Sequence, residues 1–184
     1  SSWNVPRTIA LTSVRDDIDD GDQSYTVKIG PSSSLDRLYQ NTPIKTIAAV
    51  TRDADAAGIL YDNAVLPPAY SFVTRENGPR DAAPLRLRLA SKPAAPVTLA
   101  VSIQGPDADE ATVSPAVLTF TSGDWDQPAA HAIVVSGVDD AIDDGDREYG
   151  VVFAPAASAD PNYLAKTPTP ATLKGLNTDD ADSF

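Results

Sequence analysis

The sequence predicts an all-β protein, an antiparallel β-sandwich built as tandem repeats of about 125 residues, and three observations carry this. Apolar residues alternate with polar ones over short runs, which is the period of a strand with one buried face. Sixteen prolines are spread along 184 residues, leaving few stretches long enough for a helix. The chain also repeats itself, which is the signature of a modular array.

The alternation is plainest at Leu85-Leu87-Leu89, where Arg86 and Arg88 take the outward positions, and at Val97-Leu99-Val101-Ile103. It recurs at Leu118-Phe120, Ile133-Val135 and Tyr149-Val151-Phe153. Strands are expected near 68–75, 84–90, 97–104, 117–121, 131–138, 148–154 and 171–177, with three more near 7–14, 24–30 and 44–51. Clusters of Gly, Pro, Asp and Ser separate them.

The repeat is read from one phrase and its register. Val14-Arg15-Asp16-Asp17-Ile18-Asp19-Asp20-Gly21-Asp22 returns 124 positions later as Val138-Asp139-Asp140-Ala141-Ile142-Asp143-Asp144-Gly145-Asp146. Tyr25 and Tyr149, then Tyr39 and Tyr163, keep that spacing. Trp3 and Pro6 match Trp125 and Pro128 two positions out of step, and Thr51–Asp55 matches Asn177–Asp182 loosely. Residues 60–184 therefore read as one whole unit and residues 1–59 as the last half of a preceding one. The chain is expected to be a stretch of a longer array.

Of 26 acidic residues 23 are Asp, and the net charge is −12. Asp is the short carboxylate that folds back on turns and shares oxygens with hard cations. Each acidic loop crowds five carboxylates between two strands, and such crowding repels unless a cation sits among them. The charge balance disfavours nucleic acid as a partner. Without Cys and with one His, neither a usual zinc site nor a Cys–His nucleophile pair can be assembled. His131 is expected as a surface strand residue, and no enzymatic activity is expected. No run approaches the ~20 apolar residues a membrane span needs. Nor are the loops EF-hands, because Ile18 and Ile142 stand where that pattern wants a ligand.

With Glu76 in an early strand, acids at Asp107 and Asp109, the Val138-Asp139-Asp140 strand end and the closing Asn177–Asp182 cluster in this order, the chain resembles the Calx-β domain family. The resemblance implies an immunoglobulin-like sandwich with Ca²⁺ at one end. Carried over residue by residue, it implies ligands among Glu76, Asp107 or Asp109, Asp139, Asp140, Asp143, Asp179, Asp180 and Asp182. In the half-unit the candidates are Asp16, Asp17, Asp19, Asp53 and Asp55. Arg15 stands where the whole unit has Asp139, so the first site is expected to be weaker or empty.

The expected function is a calcium-rigidified spacer or adhesion module of a large extracellular or cell-surface protein, partnered by neighbouring repeats or identical chains. Two alternatives remain open: a calcium sensor whose inter-domain angle responds to the ion, and a filament subunit completed by strand exchange. An incomplete sandwich would have to find its missing strands elsewhere.

Overall fold

The computed structural model describes residues 4–62, 71–76 and 84–179. It contains twelve strands among those residues and no helix beyond two single 3-10 turns. Two strands, β1 (Gln23–Ile29) and β2 (Lys45–Thr51), pair antiparallel as a separate ribbon.

The other ten form two sheets of a sandwich. One sheet runs in the order β11 (Ala157–Ser158), β6 (Val97–Gln104), β10 (Arg147–Phe153), β12 (Thr172–Thr178) and β4 (Phe72–Arg75). β8 (Val117–Phe120) pairs on the other edge of β6. The second sheet runs β3 (Ile59–Tyr61), β5 (Leu85–Leu89), β9 (Ala132–Gly137) and β7 (Ala111–Ser114). Leu87, Leu89, Val97, Leu99, Phe120, Ile133 and Val151 meet between the sheets and are fully buried. Their neighbours along each strand point outward, as the period of two requires.

β4 and β12 run parallel, with Gly175 opposite Phe72 and Thr178 opposite Arg75. This pair joins the opening and closing portions of the sandwich, and it fixes which loops lie at which end. Gly175 is demanded by close approach: a Cβ there would stand 2.1 Å from the Tyr149 ring, which lies across the strand. Gly137 is demanded likewise, since its Cβ would meet the Asn177 Oδ1 at 2.4 Å and the Arg75 carbonyl at 2.5 Å.

The ribbon repeats the β10–β12 pair in register. Tyr25 faces Ala49 as Tyr149 faces Gly175, and Gln23 faces Thr51 as Arg147 faces Asn177. The correspondence extends to turns. Asp36 receives the N–H groups of Tyr39 and Gln40 on its carbonyl, and Asp160 receives those of Tyr163 and Leu164. Asn41 and Ala165, at equivalent positions, both adopt positive φ, 57° and 60°.

Two expectations need correction. No strand forms over 7–14, although the equivalent segment is β9. β9 is held by β5 and β7 on its two edges. Residues 8–13 have no such neighbours among the described residues, so their backbone has no ladder to join. His131 is not a surface residue: it is 2% exposed, with its ring stacked on Phe120 at 4.1 Å between centroids. Its two ring nitrogens each lie 3.1 Å from a carbonyl oxygen, of Gln127 and of Thr119, so whichever nitrogen carries the N–H has an acceptor to donate to. The Trp125 side chain packs against the core from the turn before β9, and its carbonyl accepts the Leu89 N–H at 2.8 Å.

Candidate metal centre

Strand direction assembles the acidic end of the sandwich. Because β4 and β12 are parallel, both finish at the same end, delivering Glu76 just after one and Asp179 just after the other. β10 is antiparallel to β12 and so begins there, which places the preceding loop, with Asp144, beside them. One carboxylate oxygen from each of Glu76, Asp144 and Asp179 lies within 4.8 Å of the others.

The loop is shaped by its own hydrogen bonds. Asp179 Oδ2 accepts the Gly145 N–H at 3.0 Å, and Asp146 Oδ1 accepts the Asp179 N–H at 3.3 Å. Asp140 Oδ1 accepts the Ile142 N–H at 2.7 Å, closing a turn. Gly145, at φ 78°, supplies the left-handed position the loop needs. The remaining oxygen of Asp179, Oδ1, is buried and has no hydrogen-bond partner among the described residues. An oxygen in that condition is costly unless a donor or a cation meets it.

A buried polar layer supports the cluster from below. Thr74 Oγ1 donates to Asn177 Oδ1 at 2.9 Å and lies 3.2 Å from the Tyr149 hydroxyl. The Asn177 amide donates to Glu110 at 3.2 Å and to the Val138 carbonyl at 3.3 Å. Glu110 is 9% exposed and Asn177 fully buried. Arg147 lies 2.9 Å from Asp144 and is the local counter-charge. The hydrogen bond and charge of Asp144, with smaller contributions from Asp107 and Glu110, raise its basicity further.

Of the residues expected from the sequence, the structure thus brings together Glu76 and Asp179. Asp144 joins them and Glu110 stands beneath, neither of which was singled out. Asp107 is half-buried near Arg147, and Asp109 is exposed in the 3-10 turn Ala108–Glu110. Asp139, Asp140 and Asp143 are exposed in the loop. Asp180 and Asp182 lie outside the described residues. The repeat does not single out Asp144, because Asp140, Asp143 and Asp146 match Asp16, Asp19 and Asp22 as well as Asp144 matches Asp20. Glu110 carried no signal beyond being one of three Glu.

The first acidic loop keeps the same hydrogen bonds but uses its carboxylates differently. Asp53 Oδ2 accepts the N–H of Gly21 at 2.7 Å, Asp22 Oδ1 accepts that of Asp53 at 3.0 Å, and Asp16 Oδ1 that of Ile18 at 3.1 Å. Asp53 Oδ1 also accepts the Asp55 N–H at 2.8 Å. The Asp55 and Gly21 N–H groups hold its carboxyl below the usual carboxylate range. Asp19 Oδ2 accepts the Ala57 N–H at 2.7 Å, the Asp17 carbonyl accepts the Lys92 N–H at 2.6 Å, and the Asp19 carbonyl accepts from the Asn162 amide. Asp17 and Asp19 therefore seat this loop directly on the following sandwich.

Comparison with known proteins gives a fold likeness. The structure is similar to a solved Calx CBD1 domain in its apo form, at 11% identity and a TM-score of 0.44, covering 69% of this chain and 100% of that one. No protein-family profile matches the sequence, and no curated protein matches it. The architecture is an all-β sandwich of two sheets with an acidic cluster at one end. Among the described residues no helix is long and apolar enough to cross a membrane.

Proposed function

We propose that this chain is a calcium-holding structural module of a repetitive extracellular or cell-surface protein. Glu76, Asp144 and Asp179 would hold the calcium ion, whose charge would stiffen the end of the sandwich. The observation that carries the reading is the meeting of three carboxylates from separate elements, one of which keeps a buried oxygen with no hydrogen-bond partner among the described residues. The donor set is all carboxylate oxygen, which suits a hard cation, and its spread over a loop and two strand ends suits the larger, geometrically tolerant Ca²⁺ over Mg²⁺. Calcium would supply charge neutralisation; the chain's residues position the oxygens and exclude water beneath them through Asn177, Thr74 and Glu110.

The module is read as non-enzymatic, because the acids stand at a sandwich end over a polar layer and not in an apolar cleft that would raise a carboxyl pKa for acid–base work. Direct seating of the first acidic loop on Lys92, Asn162 and Ala57 supports a spacer role, since it limits the angles open to consecutive units. Isothermal titration of the full chain with CaCl₂ tests the reading. A saturable heat with Kd on the order of 10⁻⁴–10⁻³ M is expected, the range of extracellular modules. An absence of heat up to ~10 mM, an order above that range, would refute it.

A further inference from the structure

The ribbon β1–β2 and the extended segment before it carry an apolar face that nothing among the described residues covers. These residues have counterparts in the complete sandwich, and there the counterparts are buried while these are exposed. Ile9 is 68% exposed and its counterpart Ile133 0%; Leu11 is 55% and Val135 1%; Ile47 is 50% and Leu173 2%; Tyr39 is 63% and Tyr163 1%. Ile29 and Phe153 differ in the same sense. Residue class is kept throughout, and β1–β2 with the turn at Asp36 keep the register and turn hydrogen bonds of β10–β12 and Asp160, so the difference lies in what is packed against them.

The complete sandwich shows what is missing. There the outer edge of β10 is taken by β6, through Gly150–Phe153, and the outer edge of β12 by β4, through Gly175–Thr178. The equivalent edges, residues 26–29 of β1 and 49–51 of β2, have only each other's strand as neighbour among the described residues. Tyr163 is further tied by its hydroxyl to Ser91 in the loop between β5 and β6, and Asp160 to the Ala94 N–H of that same loop. Tyr39 and Asp36 have the matching turn geometry, and no such loop stands beside them among the described residues.

We infer that this face is the docking surface for a polypeptide carrying the first-half strands of the same repeat, the equivalents of β3–β8, which adds strands to both free edges and closes the sandwich. Strand addition supplies main-chain hydrogen bonds at the two edges, while the alternate side chains on the inner face set the register. Burial of several large aliphatic side chains and one tyrosine is the driving term. One local departure shapes the fit: Ala49 replaces Gly175, so the Tyr25 ring cannot lie across β2 as Tyr149 lies across β12. The occupant must therefore leave room for Tyr25 at the rim. This inference is independent of calcium binding.

The test fuses a second copy of residues 59–122 ahead of Ser1 and follows amide hydrogen exchange, with and without calcium, in the full chain and the fusion. Residues 23–29 and 45–51 are expected to exchange at least about tenfold more slowly in the fusion, approaching β10 and β12. Ile47→Asp in the fusion should abolish that gain. If the fused segment does not fold, the same residues 59–122 added in excess to the unaltered chain must give the protection. Failure of both overturns the inference. So does slow exchange of 23–51 in the unaltered chain: if it is lost on dilution, two copies cover each other, and if it persists, the face is already closed within one chain.

Discussion

Asp179→Asn separates the repulsive and the cation-binding roles of the acidic end. The oxygens of Glu76, Asp144 and Asp179 lie within 4.8 Å of one another. At that distance two unit charges repel by about 3.5 kcal/mol at an effective dielectric near 20, and by about 0.9 kcal/mol in bulk water. Arg147 already offsets part of the charge on Asp144. Removing the Asp179 charge should therefore stabilise the metal-free protein by about 1–3 kcal/mol. The Asn carbonyl can still accept the Gly145 N–H, and its amide can donate toward Glu76. That gain corresponds to a rise in melting temperature of roughly 3–10 °C. With calcium at 100 times Kd the natural protein gains about 2.7 kcal/mol, and most of this increment should vanish in the variant. The assay is thermal unfolding by circular dichroism in chelator and in excess calcium. The expected result is a crossing, with the variant more stable in chelator and less responsive to calcium. A variant less stable in chelator, with an unchanged calcium increment, would refute the reasoning.

Two further outcomes follow from packing and hydrogen bonding. Gly175→Ala should cost about 1–3 kcal/mol in denaturant unfolding, because the new Cβ falls 2.1 Å from the Tyr149 ring; adding Tyr149→Ala should remove most of that difference. Asp124→Ala should cost about 1–2 kcal/mol at neutral pH, because the Asp124 carboxylate accepts the Thr121 N–H at 2.6 Å and its hydroxyl at 2.9 Å. The Thr121 N–H, chiefly, depresses this carboxyl's pKa in the folded state. Its stabilisation is thus complete above the ordinary carboxylate value and lost as pH falls through the lower folded value. Unfolding curves of the natural protein and the Asp124→Ala variant should converge in acid, and a pH-independent gap would contradict this.

The strands that alternate cleanly were legible to within two residues: β5, β6, β8, β9, β10 and β12 fall where Leu85–Leu89, Val97–Ile103 and their successors place them. β3 and β11 were not, because two or three residues such as Ala157–Ser158 are too short to show a period, and β7, Ala111–Ser114, has only Ala111 and Val113 to mark its buried face. The expected strand over 7–14 had the right residues and lacked neighbours, a property no local pattern records. At the acidic end, Glu76 and Asp179 were legible from order along the chain. Asp144 was hidden among five similar carboxylates, and only the parallel pairing of β4 with β12 and the backbone turn at Gly145 pick it out. His131 looked exposed because alternation alone cannot tell that carbonyls of Gln127 and Thr119 wait for its ring nitrogens.

The side-by-side course of β4 and β12 also sets how the sandwich bears tension. A pull between the segment entering β4 and the segment leaving β12 acts along both strands in opposite senses, because they point the same way and are loaded at opposite ends. Their rungs, from Phe72–Gly175 to Arg75–Thr178, are then sheared together and cannot be unzipped one by one. A cation clasped between Glu76 and Asp179 would lie at the far end of that seam, acting as a rivet against sliding. A chain of such sandwiches would yield abruptly, one unit at a time, and not by gradual stretch.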